Sequence, residues 1–513
     1  MSRESLFSVS PDDGLLGAYQ YLNLHSYIKH WPPIDKSEVP AGASGEKLLY
    51  LSLARYAHIH ETRHFHDFFG TLAGASLFFA HFEMLRSLVA MIEMSRQTDE
   101  RWFLPFPDWI ETSKFRAIYE QHLRSWRVYR AAAVKLTQAF RARAITRRFP
   151  DEYVVYAATA AEGDPTAAFP FDVGVPERDL RLTVVYPLSL TALLEGNAQA
   201  LQRTLAEAEF PPEVAKEFTP QRIGQLLWKK DEPAANLLDS VAASIQPYNA
   251  TDFMVSKYLR LKHGTESFRR EALLRLTDIA LSSSAILPAQ KDDLDLPVAF
   301  NVSGVGMEFV KVMERSSPED LSRARIDYPP VLLEAYTELL DSVTDVQRPE
   351  DVSYTGDLSS PLVLLESIIR HHVMAPLIKA RIDTNHAVFY SVTEYMRRFP
   401  ELPAVPVLEH EGGMTFAPYM SDKACDAWGK YVFLSRVFSQ LMDGAPVLTC
   451  PRSDQTLGQI GNAEFCMEGE CAEHIGQGDC AGWHPEGWQP LPNCLFSNIL
   501  RVFLRGELNQ HSS

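Results

Sequence analysis

Residues 56–83 read YAHIHETRHFHDFFGTLAGASLFFAHFE and hold five of the chain's 16 histidines. Within this stretch His60, Glu61 and His64 spell the pattern H-E-x-x-H. Residues four apart share one face of a helix, so the two imidazoles can bind a single metal ion. Glu61, beside them, can accept a proton from a water molecule on that ion. The pattern therefore predicts a metal site with Glu61 as the catalytic base.

The surrounding sequence predicts that these residues lie on a helix. No proline or glycine occurs from Glu46 to Phe69. Gly70 is predicted to end the helix, because glycine accepts the left-handed backbone that follows many helices. A second apolar helix is predicted over residues 75–97, and the short break between the two favours an antiparallel hairpin. The histidines extend an apolar stripe with a helical spacing of three or four residues, formed by Leu49, Leu53, Tyr56, His60 and His64.

The hairpin geometry predicts a third ligand, Glu83. If the turn centres near Thr71, Glu83 and His60 lie almost level on facing helices, at a rise of about 1.5 Å per residue. His60, His64 and Glu83 are therefore the predicted metal ligands. The neighbouring residues predicted as hydrogen-bonding partners of these ligands, or as alternative ligands, are His66, Asp67 and His81.

This arrangement resembles a known zinc signature. H-E-x-x-H followed by eighteen residues and a glutamate, here His60, Glu61, His64 and Glu83, is similar to the signature of the gluzincin metallopeptidases. The resemblance covers about 24 residues and extends to no other part of the chain. It implies a zinc ion on two histidines and one glutamate, a water molecule in the open position, and Glu61 as the general base.

Two other interpretations of the same residues stay open. In one, the helices form an ordinary buried pair whose histidines hydrogen-bond to Glu61, Asp67 and Glu83. In the other, Glu61-x-x-His64 is half of a four-helix di-iron site, which needs a second carboxylate-x-x-His pair. Asp383-x-x-His386 is the candidate for that pair. Possible site residues in this later part of the chain are Glu366, His371, His372, Asp383 and His386.

Composition restricts the partners and the location. The chain has 513 residues, 46% of them hydrophobic, and a formal net charge of −17. This charge disfavours nucleic acid and anionic membranes, which attract clustered positive charge. The N-terminus lacks a signal-peptide pattern, and no apolar run reaches about 18 residues. The sequence predicts a cytoplasmic protein that acts on a peptide or small-molecule substrate; it does not indicate the oligomeric state.

The predicted fold is mainly α-helical and has three regions. Residues 1–45 form an irregular N-terminal arm, residues 46–445 a multi-helix body with the metal site, and residues 446–513 a cysteine-rich, loop-rich segment. A long basic helix is predicted over residues 113–148. Short β-branched runs, YVVYAATA and LRLTVVYP, predict a β element near residues 150–187 and a possible sub-boundary there.

The C-terminal region concentrates the cysteines. Five of the six fall within residues 450–494, with two histidines among them. Their spacing matches no standard zinc finger or ribbon, so a structural metal, an iron–sulfur site, free thiols and disulfides all stay open. The residues are Cys450, Cys466, Cys471, Cys480 and Cys494, with His474 and His484.

The functional prediction is a metal-dependent hydrolase, with zinc as the metal, that cleaves a peptide or amide bond. One alternative is an oxidative enzyme with one or two non-haem iron ions on overlapping histidine and glutamate ligands. The other is a non-catalytic helical interaction protein.

Overall fold

The structure is a computed structural model that describes part of the chain. The described residues are 17–20, 24–28, 45–98, 102, 106–114, 116–117, 119–120, 143–149, 152–158, 168–175, 180–187, 190–210, 251–252, 255, 266–282, 302–317, 319–320, 325–355, 358–410 and 413–442. The predicted cysteine-rich segment at residues 446–513 lies outside them, and so do its possible metal, thiol and disulfide sites.

The described part of the chain is mainly α-helical, which confirms the predicted fold class. A π-helical turn at Ile369–Met374 joins two of the helices. The helices are α1 (Gly45–Phe69), α2 (Leu72–Gln97), α3 (Phe106–Thr112), α4 (Leu190–Glu209), α5 (Glu266–Leu281), α6 (Val302–Arg315), α7 (Pro330–Thr344), α8 (Ser360–Ile368), α9 (Ala375–Asp383), α10 (Ala387–Tyr390), α11 (Val392–Arg398) and α12 (Asp422–Met442).

The strands form two small sheets. One has the order β1-β2-β7-β8, in which β2 and β7 are parallel and the other neighbours antiparallel. The other has the order β3-β4-β6-β5, in which β4 and β6 are parallel. The strands are β1 (Gly17–Gln20), β2 (His25–Ile28), β3 (Arg143–Phe149), β4 (Glu152–Ala158), β5 (Ala168–Val175), β6 (Leu180–Pro187), β7 (Val407–His410) and β8 (Gly413–Phe416).

These strands refine the sequence predictions. The β element near residues 150–187 is present, and the two predicted runs become β4 and β6. The long helix predicted over residues 113–148 is wrong at its C-terminal end, because Arg143–Phe149 pairs with β4 as strand β3. Two strands, β1 and β2, also lie within the predicted irregular arm, where they pair with each other and with β7.

The chain divides into two compact units. The first contains Met1–Phe78, Arg130–Val346 and Arg370–Tyr419, and the second contains Phe79–Tyr129, Gln347–Ile369 and Met420–Ser513. The predicted metal-binding helix α1 belongs to the first unit. In the second unit, α12 packs against α8 and α3.

Helix α1 is the central helix of the first unit. It packs against α4 and against strands β1 and β2. Every residue from Ile59 to Phe69 is buried, so this part of α1 has no solvent face. A helix buried on all sides needs partners for each polar side chain it carries. Of the residues in H-E-T-R-H, the four that can carry a charge have polar partners inside the protein: His60, Glu61, Arg63 and His64.

The structure gives a different reason for glycine at position 70 from the predicted one. Helix α1 ends at Phe69, next to Gly70 as predicted, but Gly70 does not adopt a left-handed backbone. A Cβ at Gly70 would lie 2.2 Å from Cζ of Phe389, so a side chain at this position would collide with α10. Glycine is required here for close packing of the two segments.

Two helical segments are long and apolar enough to cross a membrane. They are Leu72–Ser95 and Ser360–Asp383, and 76% and 67% of their most apolar windows are buried inside the protein. Core helices of large proteins often have this length and composition.

Candidate metal centre

The centre is built where α1 and α4 pack side by side. At one end of the pair, Arg55 Nη1 donates a hydrogen bond to Glu209 Oε2 over 2.7 Å. At the other end, Asn197 Nδ2 donates to Asp67 Oδ2 over 2.6 Å. An early residue of α1 thus meets the end of α4, and a late residue of α1 meets its beginning. The two helices therefore run antiparallel.

Three ligand atoms converge near the Asp67–Asn197 contact. Oε2 of Glu195 lies 3.1 Å from Nε2 of His60 and 3.2 Å from Nε2 of His64. The two imidazoles lie nearly perpendicular, with their ring centres 4.7 Å apart. The ligand atoms of these three side chains all lie within 4.8 Å of one another. Among the described residues, this is the group whose histidine and carboxylate atoms lie close enough together to hold a metal ion.

The group is almost closed to solvent. The side chain of His64 is 2% exposed and that of His60 is 9% exposed, whereas Glu195 retains 15%. The remaining exposure of the group therefore belongs mainly to the side chains of Glu195 and His60.

Opposite charges in the group shift both pKa values. Burial alone lowers the pKa of His64, but the charge and hydrogen bond of Glu195 outweigh it and raise that pKa to about 9. Burial alone raises the pKa of Glu195, but His64 and His60 lower it to about 2. Without metal, the group is therefore an ion pair between a carboxylate and a protonated imidazole at neutral pH.

Glu61 is held beside the ligand group. It is buried, and its carboxylate accepts a hydrogen bond from the backbone N–H of Tyr19 in β1. Burial raises the pKa of Glu61, against the opposing effect of the neighbouring His60 and His64. The predicted base therefore lies in the electrostatic field of the two predicted histidine ligands, with strand β1 fixing its carboxylate.

The third member of the group, Glu195, was not predicted from the sequence. It lies 131 residues beyond His64, in a helix whose pattern around it is LTALLEGNAQAL. Glu195 is the acidic residue in a run of mostly small and apolar residues, which indicates that its carboxylate is buried. Nothing in the local spacing connects it with His60 or His64.

Glu83 and His81 lie in the second unit. The side chain of Glu83 is 40% exposed and its carboxylate lies 3.9 Å from Arg86. Glu83 is not a member of the compact group, and its ligand role stays a prediction. His81 Nε2 lies 3.3 Å from Ser435 Oγ, and burial lowers its pKa to about 3.

His66 and Asp67 have other partners in the first unit. His66 Nε2 donates to the carbonyl of Pro403 over 2.8 Å, so its Nδ1 accepts from the Tyr395 hydroxyl at 2.9 Å. Asp67 receives hydrogen bonds from Arg63 and Asn197. These hydrogen bonds go to residues other than His60, His64 and Glu83, so the supporting role of His66 and Asp67 stays a prediction.

The residues considered for a second carboxylate-x-x-His pair also have separate partners. Asp383 pairs with Lys379 at the surface, and His386 Nδ1 accepts from Arg381 at 3.2 Å. His371 Nε2 donates to the carbonyl of Val346. The exposed His372 stacks on Tyr419, and in the second unit Glu366 pairs with Arg86. None of these residues is a member of the compact group at α1.

No protein-family model matches this chain, and comparisons with curated proteins and with solved structures found no match.

Proposed function

We propose that this protein is a metal-dependent hydrolase in which His60, His64 and Glu195 bind zinc and Glu61 is the general base. The observation that carries the proposal is the convergence of two Nε2 atoms on one carboxylate oxygen, next to a second buried carboxylate. Compared with the sequence prediction, Glu195 replaces Glu83 as the third ligand in this proposal.

The distances support a zinc ion. Zinc bonds of about 2.0–2.1 Å to nitrogen and oxygen in a tetrahedron place neighbouring ligand atoms about 3.3–3.4 Å apart. The observed separations from Glu195 Oε2 are 3.1 and 3.2 Å. An ion would therefore require each histidine nitrogen and Glu195 Oε2 to separate by only a few tenths of an ångström.

The protein groups have clear tasks in amide hydrolysis. Zinc on such ligands lowers the pKa of a water molecule to about 7 and polarises the scissile carbonyl. Glu61 would take the proton of that water and pass it to the leaving amine. Burial raises the pKa of Glu61 above that of an exposed glutamate, which favours its uptake of the proton.

Substitution of each residue should have a different effect on metal content and activity. His64→Ala and Glu195→Ala should lose stoichiometric metal, measured by mass spectrometry after mild purification. Glu61→Gln should keep the metal and lose hydrolysis of a broad peptide mixture. Glu83→Ala is the matched control, because it removes the other candidate carboxylate. Loss of metal in Glu83→Ala with retention in Glu195→Ala would restore the original ligand prediction, and equal metal content in all variants would reject the site.

Non-haem iron is the second candidate for the same residues. Two histidines and one carboxylate are also the donor set of mononuclear iron oxygenases. Elemental analysis separates the two enzymes: iron with a visible charge-transfer band supports oxidation, and colourless zinc supports hydrolysis.

The third candidate is a non-catalytic helical interaction protein. Its supporting observation is that Glu195 already accepts hydrogen bonds from both imidazoles, which satisfies these atoms without an ion. This candidate requires the purified wild-type protein to contain no stoichiometric metal. In all three cases we propose a cytoplasmic location, and the two enzymes would act on a peptide or small-molecule substrate.

A further inference from the structure

Three consecutive residues of α4 make different contacts around the ligand group. Glu195 reaches the two histidines, Gly196 packs closely against Thr251, and Asn197 binds Asp67. A Cβ at Gly196 would lie 1.9 Å from Oγ1 of Thr251. Thr251 thus packs directly against the backbone of α4 at the residue that follows the candidate ligand.

Asp67 is the acceptor that joins α4 to the histidine face of α1. It lies three residues after His64 and seven after His60, so all three share one face of the helix. Its Oδ2 accepts from Asn197 Nδ2 at 2.6 Å and from Arg63 Nε at 3.0 Å. Both Asp67 and Asn197 are buried, with exposures of 1% and 0%.

The ligand group needs this tie because its tolerance is small. A shift of one helix past the other by one residue displaces a side chain by about 1.5 Å. Metal–ligand distances tolerate deviations of only about 0.2 Å. Glu195 must also reach histidines on two successive turns of α1. The register of α4 against α1 is therefore as important as the identity of the ligands.

We infer that Asn197 and Asp67 are a positioning pair that sets the register of α4 against α1, so that Glu195 meets His60 and His64. This inference rests on the proposed function for its metal-binding consequence, whereas its geometric part concerns the metal-free protein. Arg63, whose Nη2 lies 2.9 Å from Asp67 Oδ1, holds the carboxyl group of Asp67 beside Asn197.

The test compares two variants that each remove one hydrogen bond between α1 and α4. Asn197→Ala removes the bond to Asp67 beside the ligand group. Tyr56→Phe removes the bond from the Tyr56 hydroxyl to Glu209, 2.8 Å long, at the far end of the same helix pair. Asn197→Ala should weaken zinc binding about 10–100-fold and alter the visible spectrum of the Co²⁺-substituted protein. Tyr56→Phe should change thermal stability but neither metal readout.

A metal-independent readout separates this inference from the proposed function. Modification of His60 and His64 by diethyl pyrocarbonate in the metal-free protein, followed by mass spectrometry, should be faster in Asn197→Ala than in wild type or Tyr56→Phe. If wild type binds no metal, the proposed function fails and the modification rates still decide the positioning role. Equal rates in the three proteins would overturn the inference.

An exchange of the two side chains covers the case in which Asn197→Ala does not fold. Asn197→Asp alone places two carboxylates together, and Asp67→Asn alone removes the partner of Arg63. The double exchange Asp67→Asn/Asn197→Asp restores one amide and one carboxylate with the same total charge. It should recover wild-type histidine reactivity, and failure to improve on Asn197→Asp would contradict the positioning role.

Discussion

Two buried polar clusters in the first unit use similar residues in different ways. In the ligand group, two histidine nitrogens share one oxygen of Glu195. In the cluster around Arg381, each oxygen of Asp278 receives its own guanidinium nitrogen over 2.7 Å, and Nε donates to the carbonyl of Gly70. Tyr328 also donates a hydrogen bond to Asp278 Oδ2 over 2.6 Å, so each cluster has a carboxylate oxygen with two donors. The clusters differ in the donors: an imidazole nitrogen can lose its proton and bind a cation, whereas the guanidinium of Arg381 stays protonated, as is typical of a structural ion pair.

The electrostatics of the second cluster agree with a structural role. Burial alone raises the pKa of Asp278, but Arg381 brings it below its ordinary value. Burial, assisted by Arg381, lowers the pKa of His386 to about 4, so that this imidazole is neutral at pH 7. The neutral ring stacks on Tyr328 with ring centres 4.3 Å apart. Among the described residues, Asp278 and His386 belong to no compact group of three metal-binding side chains.

The largest expected effect is the loss of a partner in the Arg381 cluster. Asp278→Ala leaves the fully buried guanidinium of Arg381 without its carboxylate, which should cost about 3–5 kcal/mol of unfolding free energy. Glu195→Ala should cost less in metal-free protein, because its site is partly exposed. Denaturant unfolding without metal measures both. A larger loss in Glu195→Ala would contradict the contrast between the clusters.

Zinc should stabilise the protein through the ligand group alone. At a free zinc concentration of 100 times the Kd, binding to the native state adds about 2.7 kcal/mol. Thermal unfolding at increasing zinc concentration measures this gain, which should vanish in Glu195→Ala. The Arg381 cluster provides the control, since Asp278→Ala should retain the gain at a lower starting stability. A zinc response in Glu195→Ala equal to that of wild type would remove Glu195 from the site.

Gly196→Ala should have an intermediate effect. Its Cβ would collide with Thr251, and overpacking of this kind costs about 1–3 kcal/mol. Gly429 in α12 is the matched helical control, because a Cβ there meets no atom within 4 Å. Gly429→Ala should leave stability unchanged or raise it by up to about 1 kcal/mol. Equal effects of the two substitutions in denaturant unfolding would show that α4 tolerates displacement.

The smallest effect expected, counted per pH unit, is the pH dependence of metal binding. A metal ion must displace the proton of His64, whose pKa is raised to about 9. Zinc affinity should therefore increase about tenfold, or about 1.4 kcal/mol, per pH unit below 9 and level off above it. Calorimetric titration over pH 6–9 in a buffer that does not bind zinc measures the slope. A flat profile would show that His64 is neutral before zinc binds.

The same ion pair affects the stability of metal-free protein with a defined sign. The raised pKa of His64 contributes to the free energy of unfolding. This contribution is complete below the ordinary pKa of 6.5 and is lost as the pH rises through about 9. The lowered pKa of Glu195 contributes to the same free energy of unfolding. Its contribution is complete above the ordinary pKa of 4.5 and is lost as the pH falls through about 2. Both contributions are complete between pH 4.5 and 6.5.

The sequence predicted the part of the site that depends on local spacing. The absence of glycine and proline and the three-to-four spacing predicted α1, and the structure places it at Gly45–Phe69. The same periodicity brought His60 and His64 onto one face. Glu195 could not be found this way, because its position depends on tertiary packing of α4. The hairpin geometry that suggested Glu83 rested on residue counts from the turn, which could not show that α4 packs against α1.

Other differences have the same physical origin. Gly70 was predicted from backbone preference, but its reason is the ring of Phe389, which arrives from more than 300 residues away. The sequence pattern of residues 143–149 predicted a helix. They form strand β3 instead, because β4 supplies their hydrogen-bonding partners. In both cases a distant contact overrides a local preference.

The separation of the two helices in the chain also sets an order of events during synthesis. Glu195 follows His64 by 131 residues, which a ribosome adds in about 7–26 s at its usual 5–20 residues per second. During that interval the nascent chain carries two neighbouring imidazoles without their carboxylate. A complete site can form only after α4 has left the ribosome.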